Sequence, residues 1–137
     1  MKKILILGGG FAGIYTAKNL QKQNLEGYEI ELISDNNYFI FQPLLPEVAS
    51  GTIYSSDAVT PIRQMLKGIK YRNAEISSLD FNNKRVSILQ GFKKSTHSIQ
   101  YDHLIIALGQ VSNLDIVKGL KDHAFTMRSL QDAYDLR

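Results

Sequence analysis

The sequence predicts an α/β fold in which a parallel sheet is accompanied by helices, with an antiparallel β-hairpin or meander added to it. Three observations predict this fold. An apolar run at residues 4–7 leads through glycines into a helical pattern, and a second strand pattern follows at 28–34. Later in the chain, two strand patterns flank the polar turn at 81–84 with the spacing of an antiparallel hairpin.

The beginning of the chain predicts a β-strand, an α-helix and a second β-strand. Residues 2–8 form an apolar strand pattern, and Ile14 and Ala17 then recur with helical spacing. The turn at 24–27 ends this helix, and the alternating segment at 28–34 predicts the next strand. Together these elements form a βαβ unit, whose two strands run parallel.

Glycines after the first strand carry the clearest functional pattern. Gly8, Gly10 and Gly13 form G-x-G-x-x-G between the strand and the helix, which is typical of a Rossmann-like dinucleotide-binding fold. Gly8 allows the tight turn, Gly10 lets the pyrophosphate approach the backbone, and Gly13 lets the helix pack against the strand. The pyrophosphate is expected at the positive start of the helix, where Phe11 and Ala12 complete the predicted cofactor-binding loop.

The end of the second strand is the predicted site for an adenosine ribose. Asp35 follows Gly13 at close to the expected gap of about 20 residues, and its carboxylate can accept hydrogen bonds from ribose hydroxyls. The alternative role for Asp35 is an ordinary turn carboxylate after a strand. Asn36 is a further candidate contact. An acidic rather than basic side chain at this place argues against a 2′-phosphate on the nucleotide.

The remaining elements are less regular. Pro43 and Pro46 are expected to prevent a helix in the long apolar segment 38–53. Ala107 and Gly109 end a buried run at the carboxyl edge of a predicted parallel strand, where ligands of open α/β sheets bind. The other predicted elements are, in chain order, a helix at 56–66, a strand at 69–79, a turn at 81–84, a strand at 85–89, a polar loop at 91–98, a strand at 99–101, and a helix from Ser129.

Composition narrows the classes of function. The chain has 137 residues, predicted as one domain, with no cysteine and a net charge of +3 spread along its length. Disulfide scaffolds, thiolate metal sites and a redox-active cysteine pair are therefore excluded within it, and no nucleic-acid patch is expected. The three histidines share no metal-like spacing, so no metal site is predicted. No residue stands out as a catalytic group, and no apolar run has membrane-spanning length, which predicts a cytoplasmic protein.

Four segments carry a resemblance to a known family. They are I-L-G-G-G-F-A-G at 6–13, S-D-N-N-Y-F-I-F-Q-P-L-L-P-E-V-A-S-G-T-I at 34–53, Y-D-H-L-I-I-A-L-G at 101–109 and G-L-K-D-H-A-F-T-M-R-S-L-Q-D-A at 119–133. Together they resemble the FAD-binding part of flavoproteins with two dinucleotide-binding domains, in the pyridine nucleotide-disulfide oxidoreductase-like superfamily. The segment at 34–53 is the most specific, and it is similar to that of type II NADH dehydrogenases, which are NADH:quinone oxidoreductases.

The resemblance implies FAD as the cofactor and places further residues around it. Pro43 and Leu44 belong to the apolar segment that such proteins place beside the isoalloxazine ring. Ile76 corresponds to the backbone that passes the adenine, with a plain core residue of a strand as the equal alternative. Many relatives carry an acidic ribose ligand at the position of Ser34, whereas here the acid is Asp35. One step along a strand turns a side chain to the other face, so the ribose partner is Ser34 or Asp35.

The resemblance also implies a function. In such enzymes a hydride passes from NADH to FAD and electrons pass on to a quinone of the respiratory chain. The NADH-binding and C-terminal membrane-binding parts are expected outside residues 1–137, which would be the FAD-binding domain and inactive alone. The full-length protein would be peripheral on the inner face of the cell membrane. Two alternatives remain open: a protein similar to sulfide:quinone reductase, and a stand-alone dinucleotide-binding module without catalysis.

Overall fold

The computed structural model describes residues 1–137, whose backbone forms two compact units. The first unit comprises Met1–Phe39 and Pro61–Gly109, and the second comprises Ile40–Thr60 and Gln110–Arg137. The strands are β1 (Lys2–Leu7), β2 (Tyr28–Ser34), β3 (Tyr38–Ile40), β4 (Val59–Pro61), β5 (Lys70–Asn73), β6 (Glu75–Asp80), β7 (Arg85–Gln90), β8 (Ser95–Gln100) and β9 (His103–Ile106). The helices are α1 (Phe11–Lys22), α2 (Leu45–Ser50), α3 (Ile62–Met65), α4 (Leu120–His123) and α5 (Leu130–Asp135), with short 3-10 turns at Gln42–Leu44 and Ser55–Ala58.

A four-stranded parallel sheet forms the centre of the first unit. Its order is β5–β2–β1–β9, and β1 pairs in parallel with both β2 and β9. Helix α1 connects β1 to β2, which is the βαβ unit predicted from the beginning of the sequence. The parallel sheet, the first helix and the second strand at Tyr28–Ser34 are therefore confirmed.

Alternate residues of β1 face different layers, which explains why most of this strand is apolar. Leu5 and Leu7 pack in one core with Val86 of the antiparallel sheet, whose order is β6–β7–β8. Ile6 packs in a second core with Ile14 of α1. The central sheet thus has an antiparallel sheet on one face and a helix on the other, and the predicted addition of an antiparallel meander is confirmed.

The antiparallel sheet is longer than the sequence predicts. The predicted turn at 81–84 is confirmed, since β6 and β7 pair antiparallel on either side of it. The polar loop predicted at 91–98 is wrong from Ser95 onward, because Ser95–Gln100 pair with β7 as β8. The strand predicted at 99–101 therefore begins earlier than expected. β8 is an edge strand with little burial, so its polar composition resembles that of a loop.

Two predictions for segments that contain proline are wrong. Pro46 lies in the first turn of α2, where a missing N–H costs no helical bond, so it begins a helix instead of preventing one. Conversely, the helix predicted at 56–66 is reduced to α3, because Val59–Pro61 form β4, which pairs with β3. Proline disfavours helical conformation in the residue before it, so the regular helix begins only after Pro61.

Two apolar segments are also organised differently from their prediction. The single strand expected at 69–79 is two strands, because β5 pairs with β2 whereas β6 pairs with β7. The chain changes sheet at Ala74, whose N–H donates to the carbonyl of Ser34 at 2.9 Å. The run at 104–109 is not buried as expected, because β9 is the edge of the parallel sheet and Ile106 is 52% exposed.

The second unit is built on the contact between α2 and α5. Its buried core consists of Leu45, Val48, Ala58 and Ala133. The predicted helix after Ser129 is confirmed as α5, since Oγ of Ser129 accepts a bond from the N–H of Asp132 at 3.1 Å. The Asp132 carboxylate accepts a bond in return from the N–H of Ser129, which completes a capping box. None of the helices in either unit is long and apolar enough to cross a membrane.

A buried carboxylate, that of Glu31 on β2, is held by cations from both neighbouring strands. It accepts hydrogen bonds from Nζ of Lys3 at 3.0 Å and from Nε of Arg72 at 2.8 Å. Arg72 also donates to the side-chain oxygen of Gln90 on β7 at 3.2 Å, so the cluster joins the two sheets. Burial by itself raises the pKa of Glu31, but the Arg72 and Lys3 cations outweigh it and hold the pKa below its usual value.

We expect Glu31→Gln to lower the free energy of unfolding by about 3 kcal/mol near neutral pH, because it breaks a buried ion pair. The folded pKa of Glu31 lies below the unfolded value of 4.5. The stability that the Glu31 carboxylate contributes is therefore fully present above that unfolded pKa. It is lost as pH falls through the folded pKa. Urea denaturation of both proteins, near neutral pH and stepwise into acid, measures this difference.

The matched control is Glu26→Gln, since Glu26 is an exposed loop residue. It should change the free energy of unfolding by less than about 0.5 kcal/mol. If the free energy of unfolding of Glu31→Gln is lower than that of wild type by the same amount at every pH, the ionic role of Glu31 is contradicted.

Candidate functional site

The glycine loop, residues 8–13, connects β1 to α1. Gly8 has φ of +109°, which residues with a side chain rarely adopt, and its N–H donates to the carbonyl of Ile33 at 2.8 Å. A Cβ at Gly8 would overlap the carbonyl oxygen of Ala107. A Cβ at Gly13 would overlap the carbonyl oxygen of Gly8, so the first turn of α1 lies directly against the loop. The loop therefore has the tight turn and the close helix packing that these two glycines predict.

Neither the backbone conformation nor the packing within the protein requires a glycine at position 10. Its φ is −82°, which any residue adopts, and a Cβ there would meet no atom within 4 Å. The space beside Gly10 is therefore open at the start of α1. No side chain caps this helix start and no acidic residue lies in its first turn, so its positive end can receive an anion. These features fit a phosphate group at this position.

Gly9 is a loop residue that sequence reasoning missed. A Cβ at Gly9 would lie 2.7 Å from Oγ of Ser34 and 2.7 Å from Cδ1 of Ile62. The absence of a side chain therefore lets the glycine loop lie against the end of β2. The signal in the sequence is the run of three glycines at 8–10, where the motif needs only the first and third.

Phe11 and Ala12 form the beginning of α1. The ring of Phe11 packs edge-on against Phe39 with a centroid distance of 4.9 Å, and it stacks with Tyr15 at 6.4 Å. The side chain of Phe11 therefore contributes to packing within the protein. A role for Phe11 and Ala12 in binding a cofactor depends on their backbone at the helix start.

Ser34, Asp35 and Asn36 form a turn at the carboxyl end of β2, which we call the β2 turn. Ser34 is 4% exposed, and its Oγ accepts a bond from the N–H of Asn36 at 3.3 Å. Asp35 is exposed, and its Oδ1 accepts a bond from Nδ2 of Asn36 at 3.1 Å. The structure brings this turn against the glycine loop through the contact between Ser34 and Gly9. Of the two candidate ribose partners, the hydroxyl is buried and the carboxylate is in solvent.

Ala107 and Gly109 follow β9 at the same edge of the parallel sheet. The N–H of Ala107 donates to the carbonyl of Leu7 at 2.8 Å, and the Ala107 carbonyl lies against Gly8. Gly109 has φ of +78° and ends the first unit. The structure thus brings Ala107 and the glycine loop together, where the carboxyl ends of parallel strands meet.

Three predicted residues belong to other elements. The side chain of Ile76 on β6 packs against the core between the two sheets, which favours its alternative role as a core residue. Pro43 and Leu44 belong to the second unit, in the 3-10 turn before α2. There Leu44 packs against the core of that unit and Pro43 is exposed.

The polar groups at this sheet edge suit binding more than proton transfer. They comprise backbone N–H groups, the buried hydroxyl of Ser34, the carboxylate of Asp35 and the carboxamide of Asn36. No three His, Cys, Asp or Glu side chains lie close enough to hold a metal ion. A helix start open to phosphate beside a turn that offers acceptors to a ribose diol is the arrangement that binds a dinucleotide.

Comparison with known proteins shows the family of the chain. Residues 2–137 match the family described as pyridine nucleotide-disulphide oxidoreductase. The demethylphylloquinone reductase NdbB of Synechocystis sp. is 37% identical over 140 residues, and the type II NADH:quinone oxidoreductase of Staphylococcus haemolyticus is 35% identical over 139 residues. Each match covers 98% of this chain but only 34% and 33% of the relatives, so the chain spans about a third of their length. The resemblance predicted from the four sequence segments is confirmed.

Solved structures of two enzymes share the fold. NDH2 of Plasmodium falciparum, in complex with NADH, has a TM-score of 0.85 at 30% identity, over 99% of this chain and 28% of that one. The sulfide:quinone oxidoreductase of Aquifex aeolicus has a TM-score of 0.83 at 28% identity, over 99% of this chain and 30% of that one. The predicted α/β fold is confirmed by both.

We expect Gly13→Ala to lower the free energy of unfolding by about 3 kcal/mol, because its methyl group would overlap the carbonyl of Gly8 and force the helix away. Gly10→Ala is the matched control. Its methyl group enters open space, so the loss should stay below about 1 kcal/mol, the difference in helix-capping preference. Urea denaturation of the two variants measures both values, and equal losses would show that the loop is not packed as described.

Proposed function

Because the chain belongs to the pyridine nucleotide-disulphide oxidoreductase family, we propose that it is the FAD-binding portion of an NADH:quinone oxidoreductase. The full-length protein would transfer a hydride from NADH to the flavin and pass the electrons on to a quinone. One observation carries this proposal. The start of α1 at Gly10 is open and has no side-chain cap. It occurs in a chain of which 98% matches a type II NADH:quinone oxidoreductase.

The residues proposed to hold FAD include the glycine loop and the β2 turn. The start of α1 would receive the pyrophosphate, and Asp35 or Ser34 would accept a hydrogen bond from the adenosine ribose. Pro43 and Leu44 would supply an apolar wall for the isoalloxazine ring. The complete proposed set is Gly8, Gly10, Phe11, Ala12, Gly13, Ser34, Asp35, Asn36, Pro43, Leu44, Ile76, Ala107 and Gly109.

The contribution of this chain would be to bind and orient the cofactor. When bound, FAD supplies the acceptance of the hydride and the transfer of electrons. The contact of Gly13 with Gly8 holds the start of α1 at the end of β1, and would therefore fix the place of the pyrophosphate. The buried hydroxyl of Ser34 accepts a bond from within the β2 turn, and so stabilises the turn that carries Asp35. No side chain of this site is assigned to proton transfer.

A protein similar to sulfide:quinone reductase is the second candidate, supported by the TM-score of 0.83 with the Aquifex aeolicus enzyme. Residues 1–137 contain no cysteine, so a reactive thiol would have to come from elsewhere in the protein. The type II NADH:quinone oxidoreductase of Staphylococcus haemolyticus, at 35% identity, favours the first candidate. The stand-alone binding module is less supported, because the named relatives are reductases and oxidoreductases about three times as long.

The remaining parts of the proposed enzyme would lie outside residues 1–137. They would bind NADH and attach the protein to the membrane. Quinones are apolar molecules dissolved in the lipid bilayer, so an enzyme that reduces one must reach the membrane surface. We therefore place the full-length protein in the cytoplasm, as a peripheral protein on the inner face of the cell membrane, acting in the respiratory chain.

The full-length protein should show a flavin absorption band and should oxidise NADH with a soluble quinone as acceptor. Residues 1–137 alone should show no turnover even with added FAD. Hydride transfer needs reacting atoms about 3–3.5 Å apart, and the groups that would hold NADH are proposed outside this segment. Absorption spectra and NADH oxidation rates of both forms test these expectations.

Full-length Gly10→Val is the matched inactive variant. It should fold but lose FAD, because a branched side chain would fill the open space proposed for the pyrophosphate. A colourless wild-type protein would overturn the proposal, as would robust turnover by residues 1–137 alone. Retention of FAD by Gly10→Val would remove the pyrophosphate assignment.

We expect Asp35→Ala to weaken FAD binding about tenfold to hundredfold, because the variant loses the free energy of one charge-assisted hydrogen bond to the ribose. Ser34→Ala is the comparison, and its effect should be smaller because the Ser34 hydroxyl is buried and already accepts a bond from Asn36. Quenching of flavin fluorescence during titration of the apoprotein measures both dissociation constants. A larger effect of Ser34→Ala would reassign the ribose contact to Ser34.

A further inference from the structure

The β2 turn is held by side chains from the end of β5. Nδ2 of Asn73 donates to the carbonyl of Asp35 at 2.8 Å and to the carbonyl of Ser34 at 3.1 Å. The Ser34 carbonyl also receives the N–H of Ala74 at 2.9 Å. One carboxamide therefore binds the two successive peptide groups that carry both candidate ribose partners.

Tyr71 extends this arrangement to the next residue of the turn. Its hydroxyl donates to the carbonyl of Asn36 at 2.8 Å and accepts a bond from Nδ2 of Asn73 at 3.2 Å. The guanidinium carbon of Arg63 lies 5.2 Å from the centroid of the Tyr71 ring, and only 8% of Tyr71 is exposed. Tyr71 is therefore fixed by its own packing, and it fixes both Asn73 and the turn.

The carbonyls of the β2 turn and of the residue after it all have donors. The carbonyl of Asn37 receives the N–H of Ile62 at 3.0 Å, so the series is complete from Ser34 to Asn37. Inside the turn, the N–H of Asn36 donates to Oγ of Ser34. A turn bonded in this way has few alternative conformations, so its backbone is already ordered before a ligand arrives.

The contacts of Asn73 indicate a specific role more than a general structural one. Asn73 is exposed, so its removal opens no cavity in the core. The three acceptors within hydrogen-bond distance of its Nδ2, which share its two hydrogens, belong to the β2 turn or to Tyr71, which itself bonds the turn. A side chain that contributes little to the core and bonds only this turn and Tyr71 acts mainly on the position of Asp35 and Asn36.

We propose that Asn73, supported by Tyr71, is a positioning residue that holds the β2 turn in the conformation that recognises the adenosine ribose of FAD. This inference rests on the proposed function, because it assumes that the full-length protein binds FAD. Asn73 does not touch the cofactor itself in this proposal. It acts through Asp35, whose carboxylate makes the contact.

The test uses the full-length protein and measures its FAD dissociation constant by flavin fluorescence. Asn73→Ala should weaken FAD binding about tenfold, because the turn must then be ordered when the ligand binds. Tyr71→Phe, which removes only the hydroxyl, should weaken it by a smaller factor in the same direction. Asn83→Ala is the matched control, since Asn83 is an exposed residue whose carboxamide bonds Asp80 in the β6–β7 turn. It should leave the constant within about twofold of wild type.

A double-mutant cycle between Asn73→Ala and Asp35→Ala separates positioning from general stability. If Asn73 acts through Asp35, the loss caused by Asn73→Ala should be several-fold smaller when Asp35 is already alanine.

The outcomes distinguish the inference from the proposed function. A wild-type protein that binds no FAD overturns both. A wild-type protein that binds FAD, together with an Asn73→Ala variant whose dissociation constant is unchanged, overturns only the positioning role. Strictly additive losses in the cycle overturn it as well, because Asn73 would then act independently of Asp35.

Discussion

The structure depends on one constraint: three backbone segments meet at the glycine loop with no room for a side chain between them. A Cβ at Gly8 would overlap the carbonyl of Ala107, and a Cβ at Gly13 would overlap the carbonyl of Gly8. The end of β1, the start of α1 and the segment after β9 can therefore lie together only because glycine occupies both positions. This contact places the positive start of α1 directly at the edge of the sheet, and it leaves the open space beside Gly10 where an anion can bind.

β5 contacts β2 at two places along its length, and the side chains on the two faces of β5 bond different parts of β2 and its turn. Arg72 bonds Glu31 within β2 and Gln90 in the antiparallel sheet. Tyr71 and Asn73 bond the turn that follows β2. Because successive side chains of a strand point to opposite faces, one short strand can hold a buried carboxylate on one face and the β2 turn on the other. A turn held by the protein itself needs less ordering when its ligand binds, which favours affinity.

Elements with strong local periodicity were predictable, and elements decided by pairing were not. The βαβ unit followed from alternation and helical spacing alone. Pro46 misled the prediction because proline disrupts a helix interior but suits its first turn, and only the position of the helix start decides between them. The polar residues from Ser95 onward were expected in a loop, but pairing with β7 made them a strand. Strand formation at a sheet edge depends on the neighbouring strand more than on intrinsic preference.

The sequence by itself determined the family, the central α/β architecture and the place of the glycine loop between strand and helix. These features depend on residues that are close together in the chain, so their spacing can be recognised in the sequence. Only the tertiary structure decided that Gly9 must accommodate Ser34, and that Asn73 holds a turn 39 residues earlier in the chain. Such contacts depend on which strands become neighbours and in which register they pair. A donor on β5 meets an acceptor at the end of β2 because backbone hydrogen bonds align the two strands, and no local pattern encodes that alignment.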